Sequence, residues 1–437
     1  MSAGARARSA ALLAVAAIVL AGCGDDGGDA DSGGSGGGAA PALTGRGPIT
    51  LATGKDTSGN MQKLVDQWNT DHPDEKVTIT ELPEAADEQR NQMVQNAQVK
   101  SDAFTVLNLD VVWTAEFAAN RWIVEMPQNE FDLENFLEPA VETAKYRDKL
   151  YAAPVYSDGA LLYYRKDLLD KAGVTEAPKT WDEMAQACAK VKALPEGKAL
   201  GCYAGQFDKY EGLTCNFSEA VQSAGGEVFG ADGKPNVNTE EAKKGLNFLV
   251  DGVKSGEIPR AAVTYQEEPG RRAFQDGTLI FHRQWPYQFA LANATDGSSK
   301  VAGKFGVAPI PGADGPGVST LGGHNHAISA FAKNKATALD FIKFFTSEES
   351  EKSNLLATSQ APTRANLYDD QELIEKFPYL PTLKASIENA VPRPAAVKYG
   401  DVTAAIQEAA YGAMNGEKST DDALSELQSK LEELTAE

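Results

Sequence analysis

Apolar positions along this chain repeat with two periods that take turns. Ile49-Thr50-Leu51-Ala52 is a short extended run, after which Met61, Leu64, Val65 and Trp68 fall at helical spacing with Ser58 or Asn60 as the cap. Val77 to Thr80 alternates as a second strand, Gln89 to Lys100 reads as a polar helix, and Phe104-Thr105-Val106-Leu107 is a third, apolar strand. This order predicts a mostly parallel sheet with helices on its faces. Ligands collect at the carboxyl ends of strands in such sheets, which is where Asp56 and Asp110 stand.

The same alternation returns after residue 155. A helix opens at Thr180-Trp181-Asp182-Glu183, another runs from Thr239 to Val253, and Leu279-Ile280-Phe281 is an apolar strand, so a second α/β lobe is expected. The Gly/Pro-rich stretch Ile310 to Gly317 interrupts the order. Ala327 to Ala330 and a helix from Ala336 to Phe345 then resume it. Leu424, Leu427, Leu431 and Leu434 form a short amphipathic pattern that packs on a lobe.

The first 47 residues differ in kind. Arg6 and Arg8 precede an apolar run from Ala10 to Leu20, far short of the ~20 residues that span a bilayer, so the segment reads as a cleaved signal. Leu20-Ala21-Gly22-Cys23 resembles the lipobox of bacterial lipoproteins, which implies that Cys23 is diacylated and becomes the new N-terminus. Residues 1–22 are then a lipoprotein signal peptide and 23–47 a lipid anchor and flexible linker, because Gly24 to Gly47 has almost no large apolar residue before Leu43. The expected location is the extracytoplasmic face of the cell membrane.

Composition narrows the partners. The 437 residues carry 41 Lys+Arg against 62 Asp+Glu, and removing 1–22, with its two arginines and no acid, takes the formal charge from −21 to −23. Nucleic acid and anionic lipid surfaces are poor partners for such a chain, and no nucleic acid is expected. With Cys23 lipidated, Cys188, Cys202 and Cys215 remain, and one disulfide plus one thiol is the arithmetic outside the cytoplasm. Cys188 with Cys202 is the preferred pair, joining a helix to the apolar segment after the Pro195-Glu196-Gly197 turn; Cys202 with Cys215 is the alternative.

Several segments together resemble the extracellular solute-binding proteins of carbohydrate ABC importers, the family of the maltose- and trehalose-binding proteins. They are Asp110-Val111-Val112-Trp113-Thr114-Ala115-Glu116-Phe117, Tyr151 to Gly159 with Leu162 to Leu169, Gly225-Gly226 before Asp232-Gly233, Phe274-Gln275-Asp276-Gly277 before Trp285, and Leu321-Gly322-Gly323-His324. The resemblance implies an α/β, two-lobed periplasmic-binding-protein fold with the ligand cleft between lobes and three crossing strands, near 153–158, 305–310 and 342–347. Lobe 1 would hold 48–155 plus 309–345, and lobe 2 156–308 plus 346–437. It further implies a monomer that delivers sugar to ABC permease subunits, with no cofactor.

Sugar chemistry supports that reading. Hydroxyls need carboxylates and amides, and the apolar faces of the ring need flat aromatics. Asp56, Asp110 and Asp158 can supply the first, and Trp285, Tyr156 and Tyr287 the second. By the family pattern Asp110 and Asp158 hold hydroxyls, Gly322 and Gly323 let the backbone approach the ligand, and Arg364 is a donor, with an ion pair as its alternative. His324 stands where relatives often place an aromatic residue and becomes a polar contact. His324 and His326 on one strand face could hold zinc only with further ligands, and His72 and His282 have no reason to converge on them, so no metal site is expected. A lipid-anchored glycoside hydrolase would also place two carboxylates across a sugar. No carboxylate here lies in a hydrolase-like segment, so no catalytic residue is assigned. A non-sugar solute on the same fold is the remaining alternative.

Overall fold

The computed structural model describes residues 43–436 except 57 and 395, so the leader and Cys23 lie outside the described residues. Strands β1 (Ile49–Thr53), β2 (Val77–Glu81) and β3 (Val106–Asp110) pair in parallel about β1, separated in sequence by helices Asn60–Asp71 and Ala86–Gln98. The helical spacing of Leu64, Val65 and Trp68 buries exactly that stripe against the sheet. The cap differs in part from expectation. Two side chains share the first turn: Ser58 Oγ accepts from Asn60 N–H at 3.1 Å, and the Asp56 carboxylate accepts from Met61 N–H at 2.9 Å and from Ser58 N–H at 2.8 Å. The third strand also starts two residues later than its apolar run suggested.

A small hairpin, β4 (Lys145–Tyr146) with β5 (Lys149–Leu150), precedes β6 (Ala152–Asp158). β6 lies antiparallel on one edge of β11 (Thr320–Ile328), whose other edge runs antiparallel to β3, so the first sheet is completed by a strand from far along the chain. A second sheet is ordered β10 (Gly306–Pro309), β7 (Leu161–Tyr164), β9 (Leu279–Gln284), β8 (Gly201–Ala204). Each sheet has its own apolar cluster, one around Leu51, Leu109, Phe117 and Phe341, the other around Tyr163, Phe217, Phe274 and Phe281.

The chain passes between the sheets at Gly159-Ala160, again over residues 310–319, and between helices Lys335–Phe345 and Glu348–Thr358. It also returns once more than expected: β12 (Val391–Pro392) adds to the start of β11, and Tyr399 is fully buried in the first cluster. Cys188 and Cys202 form a disulfide with Cα atoms 5.7 Å apart, tying helix Trp181–Lys192 to β8 and shutting a short loop, a constraint of about 3 kcal/mol on the unfolded chain. Thr180 and Glu183 cap that helix reciprocally. Among the described residues no helix is long and apolar enough to cross a membrane.

Candidate functional site

Strand ends of both sheets open on one cavity of about 380 Å³. β1 delivers Thr53 and the turn to Asp56, β3 delivers Asn108 and Asp110, β6 delivers Tyr156 and Asp158, and β11 delivers Gly322, Gly323 and His324. Trp285 and Tyr287 arrive from the turn after β9, and Glu211, Glu267, Glu268 and Arg393 close the wall. Asp56, Asp110, Tyr156, Asp158, Trp285, Tyr287, Gly323 and His324 are therefore brought together. Arg364 is not. Its guanidinium is bidentate on Asp132 at 2.8 and 3.1 Å and sits 4.7 Å from the Phe136 ring, away from the cavity. The ion pair, not a ligand contact, accounts for that arginine. A wider depression of about 600 Å³ beside Trp181 and Phe248 contains none of these groups, and its lysines are already paired with Asp421 and Asp314.

The two strand-end aspartates differ. Arg393, buried and next after β12, donates to Asp110 Oδ1 at 2.7 Å and Oδ2 at 3.2 Å, and to Glu211 Oε1 at 2.5 Å. Glu211 also accepts from Tyr399 and, at 2.8 Å, from Thr403, so a charged cluster is hydrogen-bonded almost throughout. Burial raises the Glu211 carboxyl and the Arg393 guanidinium opposes that rise. Asp158 has no side-chain hydrogen-bond partner among the described residues. Burial pushes its carboxyl up to about 7, Arg283 pulling it down and Asp110 adding to the rise.

The aromatic side is built on glycine. A Cβ at Gly322 would stand 3.0 Å from the Trp285 ring, and one at Gly323 (φ +114°) only 2.3 Å from the Tyr156 carbonyl oxygen. The pair thus makes room for the indole on one side and the neighbouring strand on the other. Tyr287 donates to Glu268 at 3.0 Å. Burial disfavours the Glu268 carboxylate, but the Arg271 guanidinium holds its carboxyl below the usual range.

The two histidines stand at different depths along β11, His324 opposite Asp110 at the end of β3 and His326 opposite Asn108. His324 lines the cavity 4.8 Å from the Tyr156 ring, whereas His326 packs in the core 4.7 Å from Phe345. Burial pulls the two imidazoles down to about 4 and about 3, so both are neutral at pH 7. Among the described residues no group of three or more His, Cys, Asp or Glu side chains is arranged to hold a metal ion.

Sequence reasoning did not find Arg393 or Glu211. A lone arginine between Pro392 and Pro394 was a signal that could have been read; Glu211, at the first turn of a helix, looks like an ordinary dipole partner.

Comparison with known proteins agrees with this architecture. The family model of bacterial extracellular solute-binding proteins matches residues 53–352, and the chain belongs to that family. A probable ABC transporter-binding protein of Deinococcus radiodurans is 32% identical over 395 residues, 88% of this chain and 93% of the relative. The mannitol-binding protein of Pseudomonas aeruginosa is 26% identical over 352 residues, 77% of this chain and 78% of its own. Maltose-bound MalE3 of T. maritima superposes with a TM-score of 0.84 at 33% identity, covering 89% of this chain and 99% of that one. A solute-binding protein of Agrobacterium vitis with bound D-mannitol gives 0.76 at 25% identity over 88% and 97%. The two sheets and the cavity between them are the two lobes and cleft of a periplasmic binding protein.

Proposed function

We propose that this protein captures a neutral mono- or oligosaccharide in the cleft, without altering it, and presents it to the permease of an ABC importer as a monomer. The observation that carries the reading is a cavity rich in acceptors and flanked by rings. Asp158 offers a carboxylate free of hydrogen-bond partners among the described residues, and Trp285, Tyr156 and Tyr287 line the same space. Asp110 and Asp158 take sugar hydroxyls, Asp56 and His324 add polar contacts, and Trp285 covers a ring face. Relatives that bind maltose or mannitol support this choice over a non-sugar solute.

Closure follows from the same arrangement. A ligand touching groups from both lobes favours the closed state by its differential affinity, and a permease can then recognise that state. Lipid on Cys23 would hold the protein at the outer membrane face beside the permease, and Cys23→Ser should release it into the medium. The direct test is a thermal-shift screen of the mature protein against a sugar panel, where a solute at 100 times its Kd adds about 2.7 kcal/mol of stability. A panel with no shift, or turnover of the bound sugar, would overturn the reading.

A further inference from the structure

The indole in the cleft rests on a buried charge. Arg283 precedes Trp285 by two positions at the end of β9, and its side chain is 1% exposed. Nε donates to Glu219 Oε2 at 2.7 Å, Nη2 donates to Oε1, and Nη1 donates to Gln206 Oε1 at 2.7 Å. The guanidinium carbon stands 3.8 Å from the centroid of the Trp285 ring. Gln206 also donates to Gln284 Oε1 at 2.9 Å, and that oxygen accepts the Trp285 backbone N–H at 2.9 Å. One polar network therefore fixes both a face of the indole and its backbone, while the ring's far edge meets Gly322.

Stability alone does not explain this construction. A buried ion pair is a weak source of stability, and an apolar pair of similar volume often serves as well or better. The surrounding lobe already has Leu213, Phe217 and Phe281 fully buried. What an apolar pair lacks is a flat cation at van der Waals distance, which attracts the ring and sets its plane.

We propose that Arg283 is a positioning residue for ligand capture: it lies outside the cavity lining and holds Trp285 so that the indole's other face is presented to the ligand. This rests on the sugar reading above, because the ligand it orients for is the one assigned there. The selectivity of the cleft then extends to Glu219 and Gln206, which hold Arg283 as Arg283 holds the ring.

The test uses the mature protein with Arg283→Met and Glu219→Met together, which avoids leaving one charge buried alone, beside Arg283→Lys, which keeps the charge but not the flat stack. Near-ultraviolet circular dichroism of the ligand-free proteins, with Trp285→Phe as the blank, reads the indole's environment. Calorimetry reads affinity for the sugar that stabilises the wild type. The double variant should keep a cooperative melt, lose the Trp285 band and bind roughly three- to tenfold more weakly, the range expected for an ordered aromatic contact. Arg283→Lys should fall between it and the wild type. A folded double variant with an unchanged Trp285 band or unchanged affinity overturns the proposal. Should the double variant not fold, wild-type band and affinity in Arg283→Lys overturn it equally. If no sugar shifts the wild-type protein, the sugar reading fails instead, and the ligand-free band alone decides the role of Arg283.

Discussion

Asp110 and Asp158 end the two strands that flank β11, paired with its His324 and Gly322, yet their surroundings are opposite. Asp110 is clamped by Arg393 within a cluster that includes Glu211, Tyr399 and Thr403. Among the described residues Asp158 has no protein donor; it lies beside Trp285 with its carboxyl pushed up to about 7 by burial. The first arrangement ties up much of the Asp110 carboxylate inside the protein, gives a rigid wall and leaves the remaining lone pairs for a hydroxyl. The second keeps its capacity for something else, which is what a ligand contact requires.

The comparison is broken most forcefully at Arg393. Arg393→Met leaves Asp110 and Glu211 buried without their cation, and breaking a buried pair costs about 3–5 kcal/mol. Urea unfolding should show a loss of that order, and a loss under ~1 kcal/mol would mean the cluster is solvated rather than locked. Asp158→Asn should do the reverse. It should raise urea stability at pH 7, where the buried carboxyl is already partly ionised, and weaken sugar binding about tenfold, since a hydrogen bond to a charged group is worth about 1.5–3 kcal/mol. Asp110→Asn should weaken both, and calorimetric titration beside unfolding curves separates the pair. Equal behaviour of the two asparagine variants would erase the distinction. Trp285→Phe keeps a ring but a smaller one and should lower affinity by roughly two- to tenfold with little change in melting temperature. A collapse of the melt would return Trp285 to the core.

The smallest effect is a pH dependence. Asp158 in the folded protein titrates near 7, above its ordinary 3.8, so the folded state binds more protons between those values. Its contribution to stability is present below pH 3.8 and is lost as pH rises through 7. Asp158→Asn should therefore raise the melting temperature more at pH 8 than at pH 4. His326 works from the other side: folded near 3 against an ordinary 6.5, it withdraws stability as pH falls from 6.5 towards 3. A variant whose melting profile parallels the wild type at every pH would remove Asp158 as the source.

Much of the cleft was legible in the sequence because it stands at strand ends, and strand ends are marked by where an apolar run stops. Asp110 and Asp158 follow such runs directly, and Trp285 and Tyr287 follow β9. Asp56 was legible as a strand-end carboxylate, and it also helps cap the following helix while lining the cavity. The Arg393 cluster was not legible, because Arg393 and Glu211 lie 182 residues apart and meet only through tertiary packing. Arg364 misled for the same reason: its partner Asp132 is 232 residues away.

The position of β11 has a consequence for how the chain comes into being. β3 and β6 flank it on either side, and without it the two have no strand between them. A polypeptide emerging from its N-terminus holds β1, β2 and β3 early but must wait for residues 320–328 before that sheet can close. Contacts of such long sequence separation are slow to form, because loop-closure entropy is spent before they reward it. Tight folding of the first sheet therefore coincides with the arrival of the strand that brings His324 into the cleft.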